Sequence, residues 1–124
     1  MTRIDPVDCT VLIVDDHPSF RASARVLLES EGFNVIGEAV DGASAVTETC
    51  RLRPQLVLLD VQLPDIDGFD VCAEITAHVE HPVVIMTSSR DSSDFGPLVT
   101  TSGACGFVPK AELSGERVQE LLSP

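Results

Sequence analysis

The feature that most constrains this chain is an alternation. Apolar runs of strand length are separated by stretches of helical period, five times over in 124 residues. Thr10-Val-Leu-Ile-Val-Asp15 is the first run. Residues 18–29 follow with Phe20, Ala24, Leu27 and Leu28 at helical spacing. Pro18 suits a first helical turn and Gly32 suits the end of that helix. Residues 33–39 read as a second strand, Asp41-Gly42 as a turn, and 43–52 as a helix stopped by Pro54. Residues 55–60 form a third apolar run, and 68–79 a helix with Phe69, Cys72, Ile75 and Val79 on its apolar stripe beside Val71. Residues 82–87 and 106–109 are the fourth and fifth runs. A closing helix is predicted over 112–122, with Gly115 weakening its first turn.

Strands that are apolar on both faces, each followed by a helix, imply a parallel sheet covered on both sides. Right-handed crossovers then give a doubly wound α/β sandwich. The length suits one compact domain, and 44% apolar residues are enough to fill its core. One segment breaks the pattern. The fourth helix should fall near 94–101, but Gly96, Pro97, Val99, Thr100 and Thr101 are weak helix formers. A short or irregular element of low local stability is expected there.

Composition excludes several classes. Twenty Asp plus Glu against eight Lys plus Arg give a formal charge of −12, and the seven arginines are scattered apart from Arg51 and Arg53. Without a basic patch to displace counterions, direct nucleic-acid binding is not expected. No apolar run approaches the roughly 20 residues of a membrane helix, and the polar start carries no signal-peptide core. A cytoplasmic protein with no membrane contact is the expectation. Cys9, Cys50, Cys72 and Cys105 form no Cys-x-x-Cys pair and read as buried or half-buried small hydrophobes.

In an open parallel sheet, sites form at the carboxyl ends of the strands. There the sequence places Asp15-Asp16 after the first strand, Asp60 after the third, Thr87 after the fourth, and Lys110, the sole lysine, after the fifth. A lone aspartate at such a place usually caps a helix or turn. Three carboxylates in one crevice are different. Each pair about 4 Å apart costs roughly 4 kcal/mol at an effective dielectric near 20. A hard divalent cation with oxygen ligands, together with Lys110, would offset that charge. His17, beside the acidic pair, reads as a surface residue or one just outside the metal's own ligands, and His78 and His81 as ordinary helix-end and loop residues.

Four pieces then resemble one family. They are Val11-Leu-Ile-Val-Asp-Asp16, Leu58-Leu-Asp60-Val-Gln-Leu-Pro-Asp-Ile-Asp-Gly68, Val84-Ile-Met-Thr87-Ser-Ser89 and Gly103-Ala-Cys-Gly-Phe107-Val-Pro-Lys110. In this order and spacing they are similar to the receiver domain of two-component response regulators, over about residues 10–122 of a single domain spanning 1–124. The resemblance implies a flavodoxin-like five-stranded sheet of order 2-1-3-4-5. It implies Asp60 as phosphoacceptor for a sensor histidine kinase, with Mg²⁺ held by Asp15, Asp16, Asp60 and the Gln62 carbonyl. Thr87, Ser88 and Lys110 would bind phosphoryl oxygens, Thr87 and Phe107 would form the switch, and Gln62 and Ser89 would tune phosphoryl lifetime.

The partner would be an output domain or downstream protein docking on the face of the fourth helix, fifth strand and fifth helix, with a homodimer possible on phosphorylation. Gly37-Glu-Ala-Val-Asp-Gly42 and Lys110-Ala-Glu-Leu113 resemble the subfamily that often carries a helix-turn-helix output domain; none is present here, so a stand-alone receiver or an excised fragment is expected. Ala111 stands where many receivers have proline, so a cis Lys-Pro bond is impossible.

Three other readings compete. A haloacid-dehalogenase-type phosphatase needs Asp-x-Asp after the first strand, where the two aspartates here are adjacent. A flavodoxin-like cofactor binder needs a first loop that welcomes phosphate, which Asp15-Asp16 would repel. A degenerate receiver acting without phosphorylation is opposed by the full acidic set with Thr87 and Lys110.

Overall fold

The computed structural model describes residues 9–78, 80–89, 95 and 97–122. Five strands, β1 (Thr10–Val14), β2 (Asn34–Ala39), β3 (Leu56–Asp60), β4 (Val83–Ser88) and β5 (Gly106–Pro109), form one sheet. Its order is β2-β1-β3-β4-β5 and every pairing is parallel, as expected of the doubly wound arrangement. Between and after the strands run α1 (Pro18–Ser30), α2 (Gly42–Leu52), α3 (Gly68–Thr76), α4 (Leu98–Thr101) and α5 (Gly115–Leu122).

The central strands β1, β3 and β4 are buried on both faces, so the two-residue period sorts each continuous apolar run into two cores. Val11, Ile13, Leu56, Leu58, Ile85 and Val108 face α1 and α5, meeting Ala24, Leu28, Val118 and Leu122. Leu12, Val14, Val57, Leu59, Val84 and Met86 face the other way, meeting Ala45 of α2 and Phe69, Val71, Cys72 and Ile75 of α3. This parity fixes the site. Asp60 and Thr87 follow Leu58 and Ile85 at a spacing of two, as Asp15 and Lys110 follow Ile13 and Val108. All four side chains therefore emerge on the α1–α5 side of the carboxyl edge.

The helix ends show why these segments start where they do. Pro18 opens α1 and Gly32, at φ 96°, lies just beyond its end. The amides of the first turn of α2 are all taken: Ser44 N–H by the Asp41 carboxylate at 2.8 Å, Gly42 and Ala43 N–H by the Asp65 carboxylate at 2.7 and 3.0 Å. Asp67 caps α3, accepting from Phe69 N–H at 2.8 Å. Gly68 must be glycine, because a Cβ there would run into the Asp60 carbonyl and the Val61 backbone.

Several sequence expectations are corrected. The third helix ends at Thr76 rather than 79; Val79 itself lies outside the described residues. The closing helix does not begin at 112. Lys110–Glu112 form a 3-10 turn, Leu113 is extended and buried in the first core, and α5 starts at Gly115. Ser114 accepts from Arg117 N–H at 3.0 Å, so this serine is the start signal that the pattern conceals. The second helix, by contrast, ends at Leu52 as expected, with Arg53 as its C-cap in the left-handed region (φ 48°) one residue before Pro54. Cys9 and Cys72 are buried as expected, whereas Cys50 and Cys105 are exposed. The fourth helix is a single four-residue turn without a buried residue, and 90–94 and 96 of the weak segment lie outside the described residues.

Candidate functional site

Asp15, Asp16, His17 and Asp60 each offer a ligand atom, and these atoms lie within 4.8 Å of one another. Asp15 and Asp60 are buried, while Asp16 is 36% exposed and opens the cluster to solvent. The Lys110 ammonium pairs with Asp15 Oδ2 at 2.6 Å. It donates to Asp60 Oδ2 at 3.2 Å. Asp60 Oδ1 accepts from Gln62 N–H at 3.1 Å. His17 is mostly exposed; its Nδ1 lies 3.0 Å from Asp15 and 3.2 Å from Asp16.

Burial pushes the Asp60 carboxyl up to about 6, with the Asp15 charge adding to the rise and Gln62 N–H and Lys110 opposing it. Burial draws the Lys110 ammonium down, but Asp15 and Asp60 more than reverse this and hold it above its ordinary value. Three carboxylates and one lysine leave two negative charges, which a single divalent cation would balance. The donor set fits a hard cation: its acidic members are three carboxylates, whose charge the one ammonium within reach, Lys110, offsets only in part.

Thr87 is fully buried and its hydroxyl also has no hydrogen-bond partner among the described residues. Its strand neighbour in the ladder is Asp60. A buried, unpaired hydroxyl on the strand next to a carboxylate is costly unless a further oxygen-rich group completes it.

Residues 11–122 match the response regulator receiver domain family. The chain belongs to that family. Among curated relatives, the positive transcription regulator of virulence factors BvgA of Bordetella pertussis is 40% identical over 102 residues, 82% of this chain and 49% of its own. The DNA-binding response regulator MtrA of Mycolicibacterium smegmatis is 40% identical over 109 residues, 86% of this chain and 46% of its own. The receiver thus spans about half the length of the curated relatives it matches. Among solved structures, the signal receiver domain of the response regulator NarL from Mycobacterium tuberculosis superposes with a TM-score of 0.81 at 32% identity, covering 93% of this chain and 96% of that one. CheY in the CheX–CheY–BeF3–Mg²⁺ complex from Borrelia burgdorferi gives 0.81 at 30% identity, covering 91% and 85%. The flavodoxin-like sheet order and the receiver assignment both stand.

The remaining residues of interest do not all face this centre. Gln62 and Ser89 are exposed at its rim. Ser88 is buried, and the alternation that brings Thr87 to the Asp60 side turns Ser88 to the other. Phe107 is half-buried on the α3 side, 5.6 Å from the ring of Phe95, which lies 5.5 Å edge-on to Phe69.

Two contributors escaped sequence reasoning. The Lys110 ammonium lies 4.5 Å from the centre of the Phe20 ring, which the helical pattern shows only as core. Arg21 donates to the Asp15 carbonyl at 2.8 Å and to Glu38 at 2.9 Å, while Arg25 braces Glu38 at 2.8 Å. An arginine near a helix N-terminus runs against the helix dipole, and that was the available signal. Among the described residues no helix is long and apolar enough to cross a membrane.

Proposed function

We propose that this receiver is a phosphorylation switch in which Asp60 accepts a phosphoryl group from a phosphohistidine of a sensor histidine kinase. A carboxylate oxygen of Asp60 attacks phosphorus, the phosphorus–nitrogen bond breaks, and the imidazole leaves with the electron pair. The observation that carries this reading is the pairing of buried Asp60 with Lys110 beside the unpartnered Thr87 hydroxyl. The carboxylate is positioned, a cation waits on one side, and a donor lacks its acceptor. Phosphoryl transfer is governed by such positioning and charge neutralisation.

Asp15, Asp16, Asp60 and the Gln62 carbonyl would hold Mg²⁺, which when bound neutralises charge on the phosphoryl oxygens. Lys110 pairs with one such oxygen and Thr87 donates to another; Ser88 contributes through its main chain, its side chain being turned away. Gln62 and Ser89, both exposed at the rim, tune the approach of water and hence the lifetime of the acyl phosphate. When Thr87 moves toward the phosphoryl group, Phe107 follows and repacks against Phe95. The face of α4, β5 and α5 then carries the state to an output domain or a downstream protein, or to a second copy.

Intact-mass analysis after acetyl phosphate with Mg²⁺ tests this directly. The chain is expected to gain one phosphoryl mass and Asp60→Asn none. No gain in the unaltered chain, or an equal gain in the variant, overturns the reading.

A further inference from the structure

The acceptor loop, residues 61–67, is anchored at its base, where Val61 N–H bonds the Thr87 carbonyl of β4 at 2.9 Å and Gly68 N–H the Val61 carbonyl at 2.8 Å, and is tied within itself. Gln62 N–H bonds Asp60 Oδ1, Gln62 bridges to Asp67 across the loop, and Asp67 caps α3. A further tether runs from the middle of the loop to a helix. The Asp65 carboxylate crosses to the start of α2, taking Gly42 N–H on one oxygen and Ala43 N–H on the other, while its first oxygen also accepts Ile66 N–H at 2.9 Å. The partners on α2 lie 23 and 22 residues away in sequence. The fit is close on the other side too: a Cβ on Gly42 would meet Ile66 Cβ at 3.0 Å and Asp65 Oδ1 at 3.2 Å.

Helix α2 does not need Asp65 for its own N-cap. Asp41 already forms a reciprocal capping box with Ser44. The Asp65 contacts are a second tether, and what they fix is the loop. That loop carries Gln62, whose carbonyl and side chain the proposed function assigns to metal binding and phosphoryl lifetime.

From this geometry we infer that Asp65 is a positioning residue for phosphoryl chemistry at Asp60, latching the acceptor loop onto the first turn of α2 so that Gln62 is held in place. The inference rests on the phosphorylation reading. A bidentate latch leaves the loop one orientation relative to α2. Without it, the loop keeps its internal bonds and the Val61 tie to β4 at its base, and the part beyond them can tilt.

The test compares Asp65→Ala with Asp41→Ala, which removes a cap from the same helix without touching the loop. Mg²⁺ affinity is read by calorimetry, and the phosphoryl lifetime by intact mass after acetyl phosphate is removed, at saturating Mg²⁺. Asp65→Ala is expected to weaken Mg²⁺ binding about 5- to 10-fold and to change the lifetime at least 3-fold, an effect of the size that local misplacement of a supporting group gives. Asp41→Ala should lower the melting temperature and leave both readouts within 2-fold. Asp65→Asn, which keeps one acceptor oxygen, should fall between Asp65→Ala and the unaltered chain. The inference is overturned if Asp65→Ala matches the unaltered chain in both readouts, or if Asp41→Ala shifts them equally, since Asp65 would then serve only the helix. Should Asp65→Ala not fold, Asp65→Asn decides by the same criteria. Failure of the unaltered chain to take up phosphoryl would instead strike the proposed function.

Discussion

The two halves of the carboxyl edge are built differently. On the β1–β3 side, α2 and α3 are capped by Asp41, Asp65 and Asp67, and α3 buries Phe69, Val71, Cys72 and Ile75 beneath the sheet. On the β4–β5 side, α4 is four residues long, has no side-chain cap and buries none of them. The acceptor and the acidic pair belong to the first half, Thr87 and Phe107 to the second. A switch needs this division. Under the proposed function, the acceptor and metal ligands must not move if transfer is to be fast, and the reporting side must have little to lose by moving. The largest expected effect follows from it. Ile75→Ala, in a position 3% exposed, should cost roughly 2–5 kcal/mol in urea unfolding. Leu98→Ala, in a position 51% exposed on α4, should stay within about 0.5 kcal/mol. Equal costs would erase the contrast.

The next effect sharpens it, because the rigid half pays for its geometry in charge. The Asp60 carboxyl stands at about 6 in the folded chain against an ordinary 3.8. The folded state therefore binds the proton more tightly than the unfolded state. This group's favourable contribution is complete below pH 3.8 and is lost as pH rises through about 6. At pH 7 the ionised Asp60 opposes folding in the absence of metal, by on the order of 1–3 kcal/mol. Asp60→Asn should recover most of that at pH 7 and little of it at pH 4, read as the difference in urea midpoints across that range. Mg²⁺ should stabilise the unaltered chain at pH 7 and less so at pH 5, where the proton competes for the same carboxylate. The carboxyls of Glu38 and Asp65, held below their ordinary values by arginine and backbone hydrogen bonds respectively, act oppositely. Their contribution is present above the ordinary carboxylate range and lost as pH falls through their lowered values. An Asp60→Asn chain no more stable than the unaltered one at pH 7 would show that the acidic cluster is not strained.

Most of the first half was legible in the sequence, and much of the second was not, for a physical reason. Continuous apolar runs such as Val57-Leu-Leu and Val84-Ile-Met reveal buried parallel strands whatever their partners. Aspartates that end such runs must meet at the carboxyl edge, so Asp15 and Asp60 were visible without coordinates. Contacts that depend on tertiary approach left weaker traces. Arg21 reaching the Asp15 carbonyl, Phe20 beneath Lys110, and Asp65 reaching α2 are all set by how a helix or loop lies on the sheet. The local pattern of Glu112 and Leu113 suits a helix and predicts the closing helix three residues early. Burial of Leu113 in the first core wins instead and moves the start to Ser114-Gly115. The Phe69–Phe95–Phe107 stack joins three elements that no local period links.

The smallest effect bears on the point where the two halves touch. Thr87 pairs with Asp60 across the ladder, yet its hydroxyl is buried without a hydrogen-bond partner. Desolvating a hydroxyl that gains nothing in return opposes folding by about 1–3 kcal/mol. Thr87→Val keeps the branched shape and removes the hydroxyl, so the free chain should become more stable, by about 1 kcal/mol, in urea unfolding. With Mg²⁺ and beryllofluoride added as a phosphoryl mimic the sign should reverse, because only threonine can donate to the mimic. The variant should then gain less from the ligand than the unaltered chain does. A threonine already satisfied would give the opposite pattern, with the variant less stable before any ligand is present. The reporting half would then be as settled as the acceptor half, and the strain that Thr87 is here held to relieve by moving would not exist.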